Sequence, residues 1–415
     1  MSAAVSRGLR PIAALVAAVS LFAPGDRARA DDPFAFTART TSGTPQTVRV
    51  SGSSLPDLAD DLVRTQSQFL ALQGQAFDAS LRYGGLSNAV RYSQNAAGTS
   101  ATLAIPSTGF SRTFTGANED DLRDQIEDFL REDGADEYAR FLREVNQRTV
   151  IGVTDGNPLA TTALLSDLAF DRFGLQFRPM LAPEHPNRLT GGFDLDVRGG
   201  FNEAGDTDGW FGTAVLASEF RINDGVALTV GSLFNYRDVE GASVYNVGGV
   251  AGLPIQMLFA RGRTQNMSWQ LTPFFVGGAG GSVDLASGGT FLGGGLSSSF
   301  SIRAAPFTFI LGNQISFYEG FPIDVGEFDF ETDLSQQVLK NGLRVAYEVN
   351  SGFLIDVGVT YTNFLNEAAV DAYLTPSAGV LFRTGENSGI RLGYRGDFGD
   401  DYAAHGGGAS LFINQ

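Results

Sequence analysis

The chain has 415 residues, a mean hydropathy near zero, a formal charge of −17, no cysteine and two histidines. Its length leaves room for two domains. The lack of cysteine excludes disulfides, thiolate metal sites and a lipidated-cysteine anchor, and the acidic balance argues against nonspecific binding to nucleic acid.

In chain order, Met1–Ala30 reads as a secretory signal peptide. Arg7 and Arg10 precede an apolar stretch from Pro11 to Ala23, and Ala28-Arg29-Ala30 matches the small-x-small cleavage pattern. The apolar stretch is shorter than the ~20 residues that a membrane helix needs. Residues 31–45 are polar and rich in small side chains, which predicts a disordered leader. Residues 46–174 predict an α+β domain, expected in the periplasm. Thr47–Val50 predicts a strand, and Ser54 caps a helix running to about Leu72, with Pro56 in its first turn. Four short strands follow, around Ala79–Tyr83, Ala89–Ser93, Ala101–Ile105 and Phe110–Phe114, separated by Gly- and Asn-rich turns.

Three helices complete this region: Asn118–Glu132, with acidic residues in its first turn, Ala135–Val145, and the more apolar Leu159–Phe173. The acidic residues Glu127, Asp128, Asp133 and Asp136 read as solvated helix faces. Residues 175–187 contain Pro179, Pro183 and Pro186, a stiff non-helical linker.

From Arg188 to Gln415 the period changes to two. Leu343, Val345 and Tyr347 alternate with Arg344, Ala346 and Glu348, and Ile355, Val357 and Val359 alternate with Asp356, Gly358 and Thr360. The turns Asn223-Asp224-Gly225 and Asn350-Ser351-Gly352 set hairpin registers. They oppose Phe220 to Leu228, Tyr347 to Ile355, Val345 to Val357 and Leu343 to Val359. Apolar residues then share one face and charged residues the other. A soluble sandwich would bury the apolar face, whereas a membrane barrel turns it to lipid and lines a wet lumen with the charged face.

Three features favour the barrel. There are about twelve segments of about ten residues, the length that crosses a bilayer when tilted. Aromatic residues such as Trp210, Tyr236, Tyr245, Tyr361 and Phe398 sit near segment ends. Connections also alternate in length, longer at Phe201–Gly209, Gly320–Leu334 and Gly399–Ala404 and tighter at Asn223, Ala304, Asn350 and Gly385. Glycine, at 52 residues, exceeds the ~7% norm and falls inside strand segments, where it relieves crowding in a curved sheet.

Signals of chemistry are sparse. His185 lies in the linker. His405 opens His405-Gly406-Gly407-Gly408, which looks like an esterase oxyanion loop but has no accompanying Gly-x-Ser-x-Gly elbow. Asp206-Thr207-Asp208-Gly209 looks like a calcium turn yet lacks a bidentate Glu at loop spacing. Gly320–Leu334 is the most acidic connection, either solvated or folded toward the pore to bias it toward cations. No catalytic residue, cofactor or metal is called for.

Alternation, aromatic girdles, the leader and loop asymmetry together make the chain resemble bacterial outer-membrane β-barrel proteins. The expected architecture is an α+β N-terminal domain followed by an antiparallel transmembrane β-barrel of about 12 strands at residues 188–415. Alternation points Asp194, Asp196, Arg198, Glu219, Arg221, Arg344, Glu348, Asp356, Arg391 and Arg395 into the lumen. The same residues serve a salt-bridged, plugged bore or a pore for small polar solutes.

The resemblance implies outer-membrane lipid and the barrel assembly machinery as partners, together with a periplasmic protein docked by the N-terminal domain. Such barrels usually end in an aromatic residue; here Phe412 precedes Ile413-Asn414-Gln415. The leading expectation is a non-enzymatic channel or docking protein. The alternatives are an autotransporter-like protein, with its N-terminal domain outside and Leu159–Phe173 threaded through the pore, and a rim hydrolase using His405.

Overall fold

The computed structural model describes residues 34–175 and 192–414. It omits 53, 66–67, 69–71, 73, 85, scattered positions between 132 and 151, 205–206, 224, 240, 262–264, 286, 322, 326–327, 331–334, 367 and 386–387. The expected signal peptide, His185, Asp206 and nearly all of the proline-rich linker lie outside the described residues.

The N-terminal unit is a six-stranded antiparallel sheet. Its strands are β1 (Phe34–Thr40), β2 (Thr47–Gly52), β3 (Phe77–Tyr83), β4 (Leu86–Gln94), β5 (Ser100–Ile105) and β6 (Phe110–Thr115), in spatial order β2-β1-β3-β4-β5-β6. Helix α1 (Leu55–Arg64) packs on β1 and β2, and helix α2 (Glu119–Arg131) packs on β6. Ser54 Oγ accepts the Asp57 amide at 3.1 Å, the cap its position predicts. At α2, Asn118 Oδ1 accepts the Asp121 amide at 3.0 Å, while Asp121 Oδ2 accepts the Ala117 amide at 2.7 Å. This reciprocal arrangement fixes the helix start.

Residues 34–40 correct the expected disordered leader. β1 lies between β2 and β3, and Phe34 and Ala38 are fully buried. Phe34, Phe36 and Ala38 alternate with Ala35, Thr37 and Arg39. That period of two is short enough to be masked by the polar residues around it.

The second unit is a closed barrel. Its strands are β7 (Gly192–Ala204), β8 (Thr207–Arg221), β9 (Ala227–Val239), β10 (Ala242–Gly252), β12 (Gln265–Ser282), β13 (Ser287–Ala304), β14 (Phe307–Phe321), β17 (Ser335–Asn350), β18 (Phe353–Phe364), β19 (Ala372–Arg383), β20 (Ser388–Gly399) and β21 (Tyr402–Asn414). Each pairs antiparallel with its sequence neighbour. β21 closes onto β7 through Asn414↔Gly192, and β10 pairs directly with β12, giving twelve wall strands. The short β11 (Ile255–Arg261) folds back beside the start of β12, and β15 (Ile323–Val325) and β16 (Phe328–Phe330) form a small hairpin in the longest connection.

The registers set by the two Asn turns are observed: Phe220↔Leu228, Tyr347↔Ile355, Val345↔Val357 and Leu343↔Val359. In each turn the Asn Oδ1 accepts the Gly amide two residues on, at 2.8 Å. The expected loop asymmetry needs correction. Ala204 pairs with Thr207 and Gly399 with Tyr402, so those connections are tight two-residue turns, and only Gly320–Leu334 of the three is long. Asp and Gly at these positions mark turns without fixing their length.

The barrel's polarity is inverted relative to a soluble core. Phe275 is 78% exposed, Val357 53% and Phe234 51%, whereas Lys340, Asn235 and Thr362 are fully buried. An apolar surface encircling the molecule needs a hydrocarbon neighbour, which makes this a barrel of the outer-membrane type. Trp210, Tyr236 and Tyr245 pack ring to ring at one end, and Phe307, Phe309 and Tyr347 at the other, as two interfacial girdles require.

Gly192 and Asn414 share one end of the barrel. The N-terminal unit packs at the opposite end. Phe34, Tyr83 and Phe141 join one apolar cluster with Val239 and Ala242, which flank the β9–β10 turn, and with Leu285 between β12 and β13. The Tyr83 hydroxyl donates to the Leu285 carbonyl.

Candidate functional site: a helix-filled lumen

Helix α3 (Thr161–Phe173) lies inside the barrel, against β9, β10, β12, β13, β14 and β17. It was expected within the α+β domain, whereas its contacts are with the barrel strands. Eleven of its thirteen residues are buried, so it has no solvent face to spare for a surface domain. Its sequence explains the placement: Ala163, Leu164, Leu165, Leu168, Ala169, Phe170 and Phe173 cover most of its circumference, and Ser166, Asp167 and Asp171 supply polar handles.

The wall is carved to receive it. A Cβ added at Gly248 or Gly278 would lie 2.8 Å from Leu165 Cδ1, and one at Gly342 would lie 2.6 Å from Leu175 Cδ1. At Gly252 it would overlap the Phe173 ring, and at Gly280 the Thr161 hydroxyl. Part of the glycine surplus thus lines the seat of α3. Phe173 also stacks on Phe274, with ring centroids 5.6 Å apart.

Polar contacts fix the depth of the helix. The Asp167 carboxylate meets Lys340 Nζ at 2.5 Å through Oδ1 and Arg395 Nη2 at 2.5 Å through Oδ2. Lys340 also donates to Thr362 Oγ1 at 2.9 Å. Arg395 reaches Asp171 at 3.4 Å and Asp397 at 3.3 Å, and Arg172 pairs with Asp194 at 2.5 Å. Gln314 Nε2 donates to the Ser166 carbonyl at 3.1 Å.

The segment before the helix is held equally firmly at the domain end. Arg237 donates to the Gly152 carbonyl at 2.6 Å and to Asn157 Oδ1 at 3.0 Å. Gln336 donates to Asp155, and the Val370 amide to the Gly156 carbonyl at 3.0 Å. At the other end of the helix, Arg344 donates to the Leu175 carbonyl at 2.9 Å. Buried charges matched this closely are costly to break one partner at a time.

Because α3 leans on one wall, a cavity of about 190 Å³ remains between it and the opposite wall. Six of the residues that alternation assigns to the lumen line it: Asp194, Asp196, Arg198, Arg344, Arg391 and Arg395. Asp196 accepts from Ser410 at 2.9 Å and lies 3.5 Å from Arg198. Asp356 is buried behind the cavity wall, gripped by Arg391 through two bonds at 2.8 and 2.9 Å, with Arg344 at 3.9 Å.

The other three sit nearer the Gly192/Asn414 end. Glu348 bridges Arg303 at 3.0 Å and Arg383 at 3.5 Å. Glu219 is buried and accepts from Thr229 at 3.1 Å. Arg221 is exposed and donates to the Asn223 carbonyl at 3.4 Å. Sequence reasoning missed Lys340 and Arg237. Lys340 lies four residues before Arg344 on the same strand face, so the alternation that picked Arg344 also reaches it. His405 is exposed on the outer face, beside the Tyr394 ring and away from the cavity. Among the described residues, no cluster of His, Cys, Asp or Glu is arranged to hold a metal ion.

No protein-family model matches the chain, and no curated protein matches it. Among solved structures it is similar to bacterial outer-membrane barrels. The translocator domain of the autotransporter NalP from Neisseria meningitidis aligns at 11% identity, over 61% of this chain and 96% of that one, with a TM-score of 0.38. An outer-membrane channel from Pseudomonas putida F1 aligns at 9% identity, over 55% and 97%, with a TM-score of 0.42. A Pseudomonas aeruginosa FadL homologue aligns at 10% identity, over 58% and 96%, with a TM-score of 0.31. These likenesses concern barrel architecture alone.

Proposed function

We propose that the chain is an autotransporter-like outer-membrane protein that holds its N-terminal domain on the cell surface, with α3 as the tether and plug of the bore. One observation carries this reading: the domain sits at the end opposite Gly192 and Asn414, and the chain crosses the lumen as α3 before β7 begins. With twelve strands, the start of β7 and the end of β21 share a rim. Turn lengths are mixed at both rims: two-residue connections occur at this one (305–306 and 351–352) and at the other (Ala204 to Thr207 and Gly399 to Tyr402), and the two longest connections, 253–264 and 322–334, lie at opposite rims. Both ends of an even-stranded barrel of this type lie at its periplasmic rim, here the rim of Gly192 and Asn414. The domain then lies outside, rather than in the periplasm. Outer-membrane lipid is the partner of the apolar belt, and the assembly machinery is the expected partner of β21.

Protease treatment of intact cells tests the reading. An epitope placed in the Asn95–Thr99 turn should be lost from intact cells, while a periplasmic control protein survives. Protection of that epitope until the outer membrane is permeabilised would return the domain to the periplasm. A channel function closed by the same helix is the second reading, supported by the cavity beside α3. Spontaneous conductance of the unmodified protein in planar bilayers is its expected signature.

A further inference from the structure

We infer that the bore, once α3 leaves it, is an anion-preferring pore. The inference rests on the reading of α3 as a plug. Wall and plug carry opposite charge balances. Around the helix, the described wall residues present six cations, Arg198, Arg237, Lys340, Arg344, Arg391 and Arg395. They face four carboxylates, Asp194, Asp196, Asp356 and Asp397. Toward the rim with Gly192, the inward positions Arg221, Arg303 and Arg383 outnumber Glu219 and Glu348. The plug reverses the sign, with Asp155, Asp167 and Asp171 against Arg172.

The two surpluses meet in specific pairs. Asp167 occupies Lys340 and Arg395 at 2.5 Å each, and Asp171 shares Arg395 at 3.4 Å. Withdrawing the helix strips both carboxylates from those cations and leaves the surplus of the wall to water and mobile ions. In a narrow bore with low-dielectric walls, rings of Arg and Lys raise the local concentration of anions. Small carboxylates and phosphates gain further from guanidinium groups that can grip two oxygens at once. The formal charge of −17 of the whole chain hides this, because the bore is basic where the rest of the protein is acidic.

The test uses full-length protein in planar bilayers with a KCl gradient. Gly248→Leu crowds Leu165 off its seat without changing any charge, and its Cβ also meets the Gly277 carbonyl of the wall at 2.7 Å. The wild type is expected to stay closed. The variant is expected to conduct, with its reversal potential shifted toward the chloride equilibrium potential. Lys340→Met in the same background should shift it back toward potassium. A potassium-side reversal potential, as the acidic Gly320–Leu334 connection alone would give, overturns the inference and leaves the plug intact. A wild type that conducts as freely as the variant defeats the plug reading instead, and its own reversal potential then decides the selectivity. Should Gly248→Leu not insert, Leu165→Gln with Leu168→Gln loosens the same contact from the helix side, with the same expectation. Inserted variants that stay closed by both routes also overturn the inference.

Discussion

Asp167 is where the docking of α3 is most exposed to test. Asn at this position keeps the size of the side chain and removes its charge, leaving Lys340 Nζ, fully buried, without its anion, while Arg395 keeps Asp397 and Asp171. Orphaning a buried charge in this way costs about 3–5 kcal/mol. At 1.36 kcal/mol per factor of ten, the undocked fraction of α3 rises by roughly 150- to 5,000-fold. The chain has no cysteine, so one introduced thiol reports on the helix alone. Ala169 is fully buried against the wall, and Ala169→Cys is a small change. Its reaction with a small thiol reagent should be slow in the parent protein and should accelerate by at least two orders of magnitude when Asp167→Asn is added. When opening and closing are fast, the labelling rate follows the open population. Adding Lys340→Met should recover part of the protection, since fewer cations are left unpaired. Equal labelling rates with and without Asp167→Asn would refute the argument that these ion pairs hold the plug.

Other consequences follow from the same geometry. Gly252→Leu, which collides with Phe173, should lower the temperature at which the folded barrel collapses on gels, whereas Gly281→Ala, with nothing within 4 Å, should leave it unchanged. Leu343→Arg, on the outward face, should cost about 2–4 kcal/mol of folding stability in lipid vesicles, read from denaturant titrations, if that face meets the hydrocarbon midplane. Ser54→Ala should destabilise the N-terminal domain by about 1 kcal/mol through loss of its cap to Asp57, with no effect on bilayer conductance.

The barrel was legible because its signal repeats. A period of two over twelve strands, with Asn-x-Gly turns fixing the register, leaves little freedom for Leu343, Val345, Ile355 and Val357 to lie anywhere but on one face. Six charged lumen residues could be placed on the cavity by the same rule. Loop lengths were less legible, since Asp206–Gly209 and Asp400–Asp401 announce turns whichever strand length surrounds them. β1 was missed because its alternation spans seven residues inside a polar neighbourhood.

The position of α3 is the deeper lesson, because periodicity describes an element's faces and not its partner. Leu164, Leu165 and Leu168 suit a soluble core as well as they suit a barrel wall. What separates the two is the remainder of the helix. Asp167 and Asp171 lie one turn apart on the side that a soluble amphipathic helix would present to water. In a surface domain they would be solvated at no cost. Here they meet Lys340 and Arg395, residues over 170 positions away, on strands whose inward face is polar. The glycines that make room for Leu165 and Phe173 likewise lie on β10 and β12, distant in sequence from the helix they admit. An apolar helix bearing two carboxylates, followed by a glycine-rich barrel with surplus inward cations, is a pairing that sequence analysis can seek directly: the acidic element supplies what the lumen of the barrel lacks.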